Sequence, residues 1–138
     1  MLAGEAFAAI RSNAASWKAQ AQNANTSLAG TVNSDFIYRM LDQLGGAIAA
    51  LNLWKAVAGL DAFATGQGYT GTISADCTSS VTAAQNCIAW VVANFPNAGG
   101  FLQAHTLNAD GTRTARTFTT AQTAGLQTAL TSFIATIS

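Results

Sequence analysis

The chain has 138 residues, no net charge and only 9% charged side chains, against about 25% in an ordinary domain. Neutrality argues against a nucleic-acid binder, which needs a basic field to displace counterions from phosphate. Half the residues are hydrophobic, which argues against disorder, and the length suits one domain spanning residues 1–138.

Much of that hydrophobic half is alanine, so the core is expected to be thin and led by Leu, Ile, Phe and Trp. The opening "MLAGEAFAAIRSNAASW" is interrupted by Glu5 and Arg11 and does not read as a secretory leader. No run of about 18 apolar residues stands out as a membrane span, so no membrane partner is expected.

The first predicted helix covers about residues 3–28, with Phe7, Ile10, Ala14, Trp17, Ala21, Ala24 and Leu28 at alternating steps of three and four. That spacing makes one helical stripe. "AGTVN" then breaks the pattern. The second predicted helix starts at Asn33 or Ser34, either of which can cap it, and runs to about Thr65. Asp35 falls in its first turn, where an acid is favoured. Ile37, Leu41, Leu44, Ile48 and Leu51 form one seam, and Phe36, Met40, Ala47 and Trp54 form a second. Two seams imply more than one neighbour, so this helix is placed centrally. Gly45-Gly46 in its middle costs about 1 kcal/mol per glycine relative to alanine. Close approach of another backbone is the expected compensation. Gly66 and Gly68 read as its end.

"GQGYTGTISADC" reads as a loop with Tyr69 as an anchor. A third helix follows over about residues 79–95, with Val81, Ala84, Ile88, Val91 and Phe95 in register and Pro96 as its stop. "FLQAHTLNADGTRTARTF", about residues 101–118, alternates around Asn108-Ala109-Asp110-Gly111, and Asp-Gly is a hairpin signal. Two strands alone are marginal in water. The hairpin must lean on the helices, pair with another chain, or move. Thr119 and Gln122 then match a capping box, and Leu126, Leu130, Phe133 and Ile137 mark the last helix. The expected fold is mainly α, a four-helix bundle-like domain with one β-hairpin between the third and fourth helices.

Catalytic patterns are scarce. Asp35, Arg39 and Asp42 fit a surface ladder on one helix edge rather than converging acids. One Glu and one His leave too few ligands for a di-metal bundle site. No phosphate loop or dinucleotide fingerprint occurs. Cys77 and Cys87 fit a reducing compartment, with a disulfide as an open alternative. His105 lacks a nucleophile elbow or oxyanion loop around it and is read as a surface or interface residue. Arg113 and Arg116, three apart, fall on opposite faces of a strand. They read equally as partner contacts or as edge-protecting charges. No catalytic, cofactor-binding or metal residues are assigned, and no cofactor is expected.

The segments "SDFIYRMLDQLGGAIAALNLWKAVAGLDAFA", "CIAWVVANFP" and "RTFTTAQTAGLQTALTSFIATI" resemble small, little-characterised structural proteins of tailed bacteriophages and prophages. The resemblance spans about three quarters of the chain. It implies a non-enzymatic virion protein, assembled in the bacterial cytoplasm and carried in the particle. A head–tail connector or tail-associated subunit is the leading expectation. A capsid-bound accessory protein and a cytosolic assembly chaperone are the alternatives. Its partners would be copies of itself and other virion proteins, with no small-molecule substrate and no sequence-specific nucleic acid. The hairpin is then an arm, with His105, Asn108, Asp110, Arg113 and Arg116 as its contact residues.

Overall fold

The computed structural model describes residues 1–95, 97–98, 101–102, 105–118 and 120–137. Among these residues the fold is mainly helical, with α1 (Ala3–Ser27), α2 (Ser34–Lys55), α3 (Leu60–Gly66), α4 (Ile73–Asn94) and α5 (Thr120–Thr136). Six short strands accompany them: β1 (Val32–Asn33), β2 (Asn97–Ala98), β3 (Phe101–Leu102), β4 (His105–Leu107), β5 (Arg113–Ala115) and β6 (Thr117–Phe118). They form three separate antiparallel pairs, β1 with β6, β2 with β3, and β4 with β5.

The long helices pack in the cyclic order α1, α2, α4, α5, and α3 lies against α1 and α4. The most extensive contacts are those of α4 with α2 and with α5, so α4 rather than α2 holds the centre. The reason lies in its sequence. Cys77, Ser80, Val81, Ala83, Ala84, Cys87 and Val91 are all buried, a broad face of small side chains that admits two neighbours at once. On α2 the two expected seams merge into one face. Ile37, Met40, Leu44, Ala47 and Leu51 are buried, and Leu41, Ile48, Phe36 and Trp54 flank them. Trp54 stacks on Trp17 of α1, with ring centroids 6.2 Å apart.

Four further expectations are corrected. First, the described residues form five helices rather than four, because the second predicted helix breaks. Gly59 takes φ 80° at the start of α3, a left-handed conformation that glycine adopts without steric cost, and α3 turns 88° from α2. Second, α4 begins at Ile73, inside the expected loop, so Cys77 lies within the helix. Its first turn is held from another helix. Asp61 of α3 accepts from the Ser74 amide at 2.9 Å and from the Ser74 hydroxyl at 2.6 Å. Third, a Cβ on Gly45 or Gly46 would meet nothing within 4 Å, so no backbone approaches there. The close approach is at Gly125 of α5, where an added Cβ would fall 1.8 Å from the Trp90 indole of α4. Fourth, a single hairpin over residues 101–118 does not form; its outer parts pair elsewhere, as described below.

The remaining boundaries follow local chemistry. Asn33 caps α2, its Oδ1 accepting from the Phe36 amide at 3.1 Å. Phe95 ends α4 in extended backbone, φ −101° and ψ 148°, the region favoured before a proline. The readings of Pro96 as a stop and of Thr119 as a cap fall outside the described residues. The polar residues buried among those described, Ser34, Ser80 and Thr123, each find an acceptor, as burial requires. Ser34 donates to the Arg116 carbonyl at 3.0 Å, Ser80 to Thr136 at 3.0 Å and Thr123 to Leu28 at 2.8 Å. No single described helix is long and apolar enough to cross a membrane.

These glycine environments give opposite expectations. Gly45→Ala and Gly46→Ala should each stabilise the fold by up to about 1 kcal/mol, because they remove backbone freedom without a clash. Gly125→Ala should destabilise it by about 1–3 kcal/mol through overpacking. Thermal denaturation followed by circular dichroism measures both, and wild-type melting for Gly125→Ala would contradict the α4–α5 contact.

Candidate functional site: the hairpin arm

The arm is β4, a turn and β5, with His105 opposite Ala115, Thr106 opposite Thr114 and Leu107 opposite Arg113. Its turn forms where the sequence places it. The Gly111 amide donates to the Asn108 carbonyl at 3.0 Å and the Asn108 amide to the Thr112 carbonyl at 2.8 Å. Gly111 takes φ 86°, the left-handed step that follows a tight turn in hairpins of this length.

A side-chain network stiffens the tip. Asn108 Nδ2 donates to Thr112 Oγ1 at 3.0 Å and to Thr114 Oγ1 at 2.8 Å. Thr112 donates to Asp110 Oδ1 through its hydroxyl at 2.6 Å and through its amide at 2.9 Å. Those two bonds hold the Asp110 carboxyl below the usual carboxylate range. Asn108 is half-buried, and residues 109–114 are exposed.

At its base the arm is fastened to the helices. Thr117 and Phe118 leave β5 and pair with Asn33 and Val32. Phe118 is 1% exposed and packs on Phe95, ring centroids 4.7 Å apart. The Arg116 carbonyl accepts from both the amide and the hydroxyl of Ser34. On the other arm, Phe101 and Leu102 pair with Ala98 and Asn97. Of the sequence-level alternatives for the hairpin, leaning on the helices is what the base does. Its strand partner there is the same chain. Among the described residues, β4 and β5 pair only with each other, which leaves the outer edge of each without a backbone partner.

The structure brings Asn108 and Asp110 together in the turn. Arg113 is exposed on β5, while Arg116 is half-buried between β5 and β6. His105 belongs to β4, and its side chain lies outside the described residues. Sequence reasoning missed Val32, Ser34 and Phe118 as the anchor. The one signal was "TVN" followed by a capped helix, two extended residues whose partner stands 84 or 86 positions away.

A second polar cluster joins α1 to the α3–α4 turn. Tyr69 donates to Asp76, and the Arg11 guanidinium sits 5.4 Å from its ring centroid. Burial, reinforced by the bond to Asp76, pushes the Tyr69 hydroxyl up to about 12. The adjoining cavity, lined by Ile10, Arg11, Tyr69, Asp76 and Cys77 among others, holds about 20 Å³, room for about one water. Asp35, Arg39 and Asp42 lie exposed along one edge of α2. No three His, Cys, Asp or Glu side chains converge among the described residues.

Cys77 and Cys87 are free thiols buried on the same helix. Ten residues of helix separate them by about 15 Å, beyond the roughly 7 Å reach of a disulfide. Burial pushes each thiol up to about 11, which keeps it protonated and unreactive.

No protein family, curated protein or solved structure matches this chain.

The thiols and Tyr69 set an alkaline limit. In the unfolded chain the thiols ionise near pH 9 and the phenol near pH 10; in the folded chain all three do so later. The unfolded state therefore binds fewer protons, and stability falls as pH rises through that interval. Melting temperature should decline from about pH 9 to 12. A thiol reagent at pH 8 should label both cysteines in urea and neither in the native protein. Rapid native labelling would contradict the burial.

Proposed function

We propose that this protein is a non-enzymatic structural subunit of a tailed-phage particle, a head–tail connector or tail component that assembles with copies of itself and with other virion proteins. The observation that carries the reading is the arm. Its base is locked into the helical core, its tip is stiff and exposed, and its outer strand edges carry no backbone partner among the described residues. Open edges of this kind accept an extended segment from a neighbouring chain by strand addition. In a ring, such a contact runs head to tail from one subunit to the next.

The chemistry of the body points the same way. The α1–α2 groove has Arg39 as its one charged lining residue, and the α4–α5 groove has none. Neither brings together an acid and a base. The sparsely charged exterior is poorly protected against self-association in a free monomer and suits a subunit covered by its neighbours.

Replacing Asn108–Gly111 by a short relink should preserve the helical circular dichroism signal and abolish assembly. Mass spectrometry of purified particles should find the protein at a fixed copy number. Unimpaired assembly of the relinked variant, or absence of the protein from finished particles, would count against the proposal.

A further inference from the structure

The charges of this protein are segregated. Glu5, Arg11 and Lys18 lie on α1, Asp35, Arg39, Asp42 and Lys55 on α2, Asp61 on α3, and Asp110, Arg113 and Arg116 on or beside the arm. The 22 residues of α4 carry only Asp76, near their start, and the 17 residues of α5 carry none. A surface helix ordinarily sets a charged face opposite its buried one. Here α5 buries Thr123, Leu126, Leu130 and Phe133 and turns Ala, Thr and Ser outward. Its composition is that of a helix covered on both sides.

The outward faces of α4 and α5 adjoin. Thr82, Asn86, Ala89 and Ala93 follow one another on α4 at steps of four and three, all exposed, beside exposed Thr128 and Ser132 on α5. Between the helices runs an open groove whose lining includes Asn86, Ala89, Trp90, Ala93, Gly125 and Thr128. Gly125 lets the Trp90 indole lie against α5. The indole Nε1 there is shielded and meets no acceptor among the described residues.

We infer that this α4–α5 face is an isologous contact with a second copy of the same chain. In a two-fold contact each patch meets itself, so any net charge on it would repel its own image. The uncharged α4–α5 face carries no such penalty. Two helices of about 33 and 25 Å, side by side at about 10 Å, present roughly 600 Å². That approaches the roughly 800 Å² per partner of a standard stable interface. Small outward side chains allow close packing. The inference rests on the reading of the protein as an assembling subunit and gives it a contact separate from the arm.

Sedimentation of the full chain tests it. The wild-type protein should sediment at twice the 14.1 kDa chain mass or more. Ala89→Glu and Thr128→Glu, made separately, should each lower that mass at least twofold, with unchanged circular dichroism. Ala15→Glu, the same kind of change on the exposed side of charged α1, should behave as wild type. A wild-type monomer at 100 µM would overturn the inference, as would association insensitive to both glutamates. If only the arm relink dissociates the protein, the α4–α5 contact is wrong and the arm reading stands.

Discussion

The pairing of Val32 and Asn33 with Phe118 and Thr117 is the constraint on which the arm depends. It is small, two residues on each side, and it joins parts of the chain more than eighty positions apart. Its strength comes from what surrounds it. Phe118 fills the core against Phe95, and Ser34 gives both its amide and its hydroxyl to the Arg116 carbonyl. The start of α2 and the end of the arm are thereby one junction. A two-stranded ribbon alone would be marginal in water; here it is an extension of a packed body.

That junction explains how a mainly helical protein can carry an extended element without building a sheet. The helices supply the hydrophobic burial, and the β1–β6 pair fixes the end of the arm to them. The same economy appears at α3 and α4, where Asp61 satisfies the first turn of α4 from the side. It appears again where Thr123 and Ser80 bond the terminal carbonyls of neighbouring helices. Small polar side chains stitch helix ends together in a protein with few ions to use.

Helices α1 and α5 were legible in the sequence because their buried positions keep steps of three and four, and so was the turn at Asn108–Gly111. The break at Gly59 was not, because Val57, Leu60 and Ala64 continue an apolar pattern through it. The early start of α4 depends on Asp61, a partner thirteen residues back that local patterning does not register. The paired glycines of α2 suggested a close contact, yet the contact belongs to the single Gly125, since glycine composition does not say which neighbour faces it. Of the candidate arm residues, Asn108 and Asp110 act together in the turn, while the anchor of Val32, Ser34 and Phe118 required the three-dimensional pairing.

The measurement that bears most directly on the anchored arm is native-state amide hydrogen exchange, resolved residue by residue. Amides of Ser34, Phe118 and Asn108, which lie within the paired backbone, should exchange with protection close to that of α4, and the exposed amides of Ala109 and Asp110 should exchange fast. Exchange at Ser34 and Phe118 as fast as at the tip would mean that the arm is not fixed to the helical body, and the account would fail at its base.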